Sequence, residues 1–269
     1  MWLVYECPRD YLVFWHIGAR MGVGPVRRFL ARMRRRGKAS LIDIGSGAGS
    51  NALIAARSGF RVAACDLAPR NLAELRRVAG ELDVRSAIAP VRADALALPV
   101  APESFDVAIA SHIIEHLPDP GRLLAGIARV LKPGGVLRLS CPSRCHGMRI
   151  ARWFGADLDP ADHVVLGYSR DELARMLPEG FRITRVTYQG RFLESNLADL
   201  QHLVSRALGV RATVSADAAP GDAPATPPGR LFYLLKECVL LPALALCALE
   251  DALLWFVPGS MITLEIERV

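Results

Sequence analysis

"LIDIGSGAGSNALIAA", Leu41 to Ala56, is the stretch whose reading decides the fold of this chain. A short apolar run carries an acid at Asp43, glycines follow at Gly45, Gly47 and Gly49, and helix-forming alanine and leucine come next. A brief apolar run bounded by turn residues is the pattern of a strand buried on both faces. Glycine lets the backbone turn tightly and approach a ligand with no Cβ in the way. A helix opening just beyond such a loop aims its free amides, and the positive end of its dipole, at whatever binds there. The loop predicts a nucleotide-like cofactor. The dinucleotide fingerprint is GxGxxG, whose third glycine packs helix against strand. Here the spacing is GxGxG and position 50 is serine, so a nicotinamide dehydrogenase is disfavoured.

Outward from the loop, short apolar runs alternate with helical periodicity, the mark of a parallel α/β sheet. Strands are expected at Ser40–Ile44, Arg61–Asp66, Ser86–Arg92 and Phe105–Ser111. "KPGG", Lys132–Gly135, turns into a fifth strand, "VLRLSCP", and Lys132 is expected to be structural. Helices are expected from Ser50, from Pro69, where proline suits the first turn, and from Pro120. "SRDE", Ser169–Glu172, is a capping box, and strand six opens at Phe181. The closing residues "SMITLEIERV" alternate as a last strand.

The acids at the strand ends then favour one cofactor. Asp43, two residues before the first glycine, puts negative charge beside the cradle, which suits an ammonium and hydroxyls better than a pyrophosphate. S-adenosylmethionine is cationic, hydroxylated and free of phosphate. Asp66 ends strand two, where a carboxylate can accept both ribose hydroxyls. Asp94, after strand three, is placed for the adenine amino group.

"LIDIGSGAGSNA", "CDLAPRNL", "ADALALPVAPESFDVAIASHIIEHLPDP" and "ARVLKPGGVLRLSCPS" together resemble the successive motifs of the class I S-adenosylmethionine-dependent methyltransferases. The branch is type 11, which acts mostly on small molecules, quinones and lipids. The resemblance runs from about Ser40 to Pro142, and more loosely through "DHVVLGYSRDELARMLPEGF". It implies a Rossmann-like α/β sheet of seven strands, the last antiparallel. It also implies cofactor contacts at Asp43, Gly45, Ser46, Gly47 and Gly49, at Asp66 and Leu67, at Asp94 and Ala95, and at Ser111. The chain departs from the family in placing an apolar insertion, 190–259, between strands six and seven. It also lacks the Asn/Asp-Pro-Pro-Tyr signature of amino-group methylases, having "SHIIEHL" instead, and no nucleic-acid partner is expected.

Three domain-level parts follow. They are a basic helical segment at 1–38, the cofactor domain at 39–189 plus 260–269, and the insertion. Within the insertion, 212–229 is a loop rich in proline and alanine, and 231–257 is expected to be an apolar helical hairpin bent at Pro242. Its longest charge-free run, Cys238–Leu249, falls short of the roughly 20 residues a membrane span needs. The chain of 269 residues has a net charge of +6 and a hydrophobic fraction of 52%. Eight basic residues and no acid lie between Arg20 and Lys38. The stretch Arg27–Lys38, together with 231–257, fits an anionic membrane surface, and equally a solvated helix face. The N-terminus has no signal-peptide pattern, so a cytoplasmic protein, peripheral on the inner face of a membrane, is the expectation. The six cysteines form no disulfide framework, and "CPSRCH", Cys141–His146, has poor spacing for a metal, so none is expected.

Methyl transfer is an in-line displacement helped by alignment, and a base is needed only when the acceptor must lose a proton. His112, at the mouth of strand four, is the first candidate base, with His116 read as satisfying a local hydrogen bond. His163 is the second candidate, with Tyr168 as its partner. The acceptor is expected to be a small or lipid-like hydrophobic molecule methylated at O or C. A chain that binds the cofactor without turnover remains the alternative.

Overall fold

The computed structural model describes residues 17–145, 150, 164–197, 199–200 and 230–269. Helix α1, Ile17–Arg35, precedes strand β1, Ser40–Ile44. Then come α2 (Ser50–Arg57), β2 (Arg61–Asp66), α3 (Pro69–Glu81), β3 (Ile88–Arg92) and β4 (Phe105–Ser111). α4 (Pro120–Val130), β5 (Leu131–Pro142), α5 (Arg170–Met176) and β6 (Phe181–Gln189) follow. The chain closes with α6, Arg230–Leu253, and β7, Met261–Arg268.

The strands form one seven-stranded sheet in the order β3-β2-β1-β4-β5-β7-β6. β7 runs antiparallel to both β5 and β6, and the pairs β1–β2, β1–β4, β2–β3 and β4–β5 are parallel. The expected α/β class and the reversed last strand are both present. Local chemistry explains the helix starts. Asp119 caps α4 by accepting from the Arg122 amide at 2.9 Å, with Pro120 in the first turn. Ser169 and Glu172 make both halves of the capping box that opens α5. "KPGG" belongs to β5, with Gly134 in the left-handed region (φ 69°) and the β4–β5 register slipping beside it, between Phe105 and Val107. Lys132 reaches Asp106 at 3.0 Å and is structural.

Each face of the sheet has its own core. On one, Val26, Phe29, Leu30 and Met33 of α1 pack with α2, α3 and the inward residues Leu41, Val62, Val107 and Ile109. On the other, Leu123, Leu124 and Ile127 of α4 pack with Ile42, Ala108, Leu137, Leu139, Ile262 and Leu264.

Two expectations need correction. Residues 230–253 form a single helix with Pro242 inside it, where a hairpin was expected. Proline deletes one backbone hydrogen bond, but its leucine- and alanine-rich flanks are strong helix formers and carry the helix through. The basic run is also less of a free stripe than it reads. Arg32 pairs with Glu265 and Arg36 with Glu267 of β7. Arg34 donates to the Lys38 carbonyl at 2.9 Å and lies 5.4 Å above the Phe60 ring, and Lys38 donates to the Gly134 carbonyl at 2.9 Å. Arg32 and Arg36 thereby fasten α1 to β7. The loop 212–229 lies outside the described residues.

Candidate active site

The glycine loop sits where β1 ends, at the edge of the sheet where ligands collect in open α/β folds. Its three glycines are there for different reasons. Gly49 caps α2 with φ 89°, and a Cβ on it would meet Leu75 Cδ1 at 2.3 Å. Gly45 likewise turns its bare side into Ile113. Only Gly47, φ 53°, has open space where a Cβ would stand. The loop therefore offers a ligand its backbone at Gly47, and the other two glycines let the loop close on its own scaffold.

Asp66 holds that backbone. Its Oδ2 accepts from the Gly47 amide at 2.7 Å, and its Oδ1 accepts from the Ala68 amide at 2.9 Å and from Asn71 Nδ2 at 3.1 Å. The carboxylate is half-buried and keeps one lone pair in reserve, on Oδ2. Leu67 beside it is 64% exposed, a bare apolar side chain next to the acid. Asp94 is exposed and folds onto its own chain, accepting from the Leu96 amide at 2.8 Å, with Ala95 half-buried.

Asp43 is buried beneath the loop, 1% exposed. It accepts a hydrogen bond from the Ala52 amide in the first turn of α2, and its Oδ2 has no hydrogen-bond partner among the described residues. Burial, with Asp66 adding repulsion, pushes its carboxyl up to about 7. The Ser46 hydroxyl is a second buried polar group without a hydrogen-bond partner among the described residues. Unpaired buried acceptors of this kind carry a desolvation cost that a cationic ligand relieves.

At the mouth of β4, Ser111 is half-buried and His112 takes φ 53°, a conformation that non-glycine residues adopt at a cost. The twist leaves the imidazole 59% exposed, while its amide donates to the Ser140 carbonyl at 2.9 Å. Its Nδ1 lies 3.4 Å from Oε1 of Glu115, which is fully buried and whose oxygens have no hydrogen-bond partner among the described residues. Sequence reasoning gave Glu115 no role. The signal was a histidine and an acid three residues apart on one tight turn. Among the candidates, then, the structure gathers Asp43, Ser46, Gly47 and Asp66 at one point and His112 with Glu115 at another.

His163 lies outside the described residues. Tyr168 is not displayed as a catalytic partner, being 5% exposed, with its hydroxyl turned to the Ile114 carbonyl at 3.4 Å. Cys141 is fully buried in the second core, which pushes its thiol well above the usual range. Among the described residues no group of three or more His, Cys, Asp or Glu side chains could hold a metal.

Residues 42–139 match a methyltransferase domain family. The chain is 36% identical over 120 residues to an uncharacterized methyltransferase of Mycobacterium leprae, a match covering 43% of each protein. It is 35% identical over 122 residues to the ubiquinone biosynthesis O-methyltransferase of Caulobacter vibrioides, covering 43% of this chain and 48% of that one. The chain thus spans about half the length of the curated relatives it matches. The crystal structure of the 4+2 cyclase SpnF overlays with a TM-score of 0.56 at 20% identity, over 90% of this chain and 80% of that one. At that identity the likeness is one of fold. Residues 42–139 thus match a methyltransferase domain, and the seven-stranded sheet that holds them has the fold of the class I S-adenosylmethionine-dependent methyltransferases.

Proposed function

We propose that this chain is an enzyme that moves a methyl group from S-adenosylmethionine to an oxygen or carbon of a small hydrophobic acceptor. The observation that carries the reading is the Asp66–Gly47 pairing beside the open Gly47 backbone, a cradle lined by carboxylates. The residues fit the cofactor. Asp66 keeps one lone pair, on Oδ2, for a hydroxyl, Leu67 offers apolar cover next to it, and Asp43 and Ser46 hold polar atoms without a partner among the described residues. When bound, the cofactor supplies an electrophilic sulfonium methyl. Gly45 and Gly49 shape the loop, Ser111 stands at the end of β4, and Asp94, with Ala95, would meet the adenine amino group.

His112 is the group placed to take a proton from the acceptor. Nδ1 faces Glu115 at 3.4 Å, and Nε2 is the ring nitrogen we assign as the acceptor of that proton. The Caulobacter relative acts, by its name, as an O-methyltransferase of ubiquinone biosynthesis, which supports a small-molecule acceptor here.

The hydrophobic character of the acceptor rests on α6. Leu246, Leu249 and Leu253 are each more than half exposed at helical spacing, and Trp255 and Phe256 follow at 74% and 66%. An apolar face of this kind suits a substrate taken from a membrane. Arg27 and Arg35, which have no carboxylate partner among the described residues, are the cations of α1 left to meet an anionic headgroup. No helix among the described residues is long and apolar enough to cross a membrane.

Incubation with methyl-labelled S-adenosylmethionine and a lipid and metabolite extract tests the reading. Label is expected in an organic-soluble product, with transfer lost in His112→Ala and cofactor binding kept. Cofactor binding with no labelled product from any fraction would favour a binding protein without turnover.

A further inference from the structure

The α1-facing side of the sheet changes character between β4 and β6. Val136 of β5 packs in the apolar core, but Arg138 and Ser140, which share its face, do not. Across from them on β7 stand Glu265 and Thr263, and across from those on β6 stand Arg185 and Thr187. α1 and α6 lie over this polar strip, and between them is a cavity of about 500 Å³.

Arg138 lies on its floor, 4% exposed. Its guanidinium has five donors and stays charged at neutral pH, even though burial lowers its pKa to about 10. Among the described residues it makes a single hydrogen bond, from Nη1 to Ser140 Oγ at 2.8 Å. The carboxylate nearest it, Glu265, is already in contact with Arg32 and lies 3.8 Å from Arg185. Asp251, the other acid of the lining, is held by Arg191, a buried residue outside the cavity. Arg28 also lines the cavity. Four guanidiniums, of Arg28, Arg32, Arg138 and Arg185, thus share one carboxylate, Glu265. Burying a guanidinium with so little compensation is costly unless an anion completes it.

We propose that this cavity binds a phosphate group carried on a small, partly apolar molecule, at a site separate from the methyl-donor loop. A phosphate matches a surplus of three positive charges better than a carboxylate does, and guanidinium forks suit its oxygens. Leu244, Ala248 and Ala252 of α6 give the rest of the molecule an apolar wall. The donor loop lies at the ends of β1 and β2, with β4 between it and this strip.

Titration of the full chain with inorganic phosphate and with hexyl phosphate at fixed ionic strength, followed by calorimetry, tests the assignment without S-adenosylmethionine. Saturable one-to-one binding is expected, weakened about tenfold or more in both Arg138→Gln and Arg185→Gln. Arg185 is half-exposed, so its variant keeps the test interpretable if the buried substitution unfolds the chain. S-adenosylmethionine should not displace the phosphate. Tighter binding of hexyl phosphate would assign the group to an amphiphile, and equal binding to a soluble phosphate. No saturable binding up to about 10 mM, unchanged affinity in the Arg185 variant, or displacement by S-adenosylmethionine would overturn the proposal. Because the readout is phosphate binding, failure of the methyl-transfer reading leaves this test intact.

Discussion

The two halves of the α1-facing sheet surface solve opposite problems. Over β2, β1 and β4, Leu41, Val62 and Ile109 meet α1 and α2 side chains in a dry core. Over β5, β7 and β6, the same face carries Arg138, Ser140, Thr263, Glu265 and Arg185 beneath α1 and α6. The first half fixes the strand ends from which Asp43, Gly47 and Asp66 reach the proposed donor site. The second keeps permanent charge under a helix. Rigid apolar packing is what holds a cofactor loop in place, and incompletely paired charge marks where something further binds.

The contrast breaks most visibly in stability. Leu41→Ala should destabilise the chain by about 2–5 kcal/mol, because a fully buried leucine leaves a cavity. Arg138→Met should cost far less or stabilise, since it removes a buried charge that is only partly compensated. Chemical denaturation of the two variants measures the difference, and equal losses would mean the polar half is as tightly packed as the apolar one.

Gly49→Ala sharpens the account of the loop. The left-handed cap and the approach to Leu75 together should cost about 1–3 kcal/mol, with cofactor affinity falling alongside stability. Thermal unfolding with and without cofactor reads both effects.

A smaller effect follows from pH. Asp43 and Glu194 are both pushed up to about 7, chiefly by burial. Each holds its proton to higher pH in the folded chain than in the unfolded one. Each therefore contributes stability that is full below the ordinary carboxyl range and declines as pH rises to about 7. Cofactor affinity should run the other way. A cation is balanced by ionised Asp43, so affinity should fall by up to about tenfold per unit as pH drops below its pKa. Denaturant titrations and binding isotherms across this range check the opposite slopes.

Much of this was legible in the sequence. β1, β2 and β4 span the expected residues, because the apolar run at the centre of each is bounded by turn and polar residues. Ser169 and Glu172 announced the start of α5 through hydrogen bonds made within one turn. What the sequence concealed depends on partners far along the chain. Arg32 and Glu265 are 233 positions apart, so a run that looked like a free basic stripe hid its role in fastening α1 to β7. Glu115 was passed over because nothing local shows that its carboxylate is buried beside His112. Pro242 misled in a different way, since a helix among strong helix formers can tolerate the lost hydrogen bond.

The most direct test of the central claim is calorimetric titration of S-adenosylmethionine into the wild-type chain and into Asp66→Ala. The account predicts micromolar binding to the wild type, weakened about tenfold or more in the variant, as expected for loss of a charged hydrogen bond worth about 1.5–3 kcal/mol. No binding at millimolar cofactor, or equal affinity in the two proteins, would contradict it.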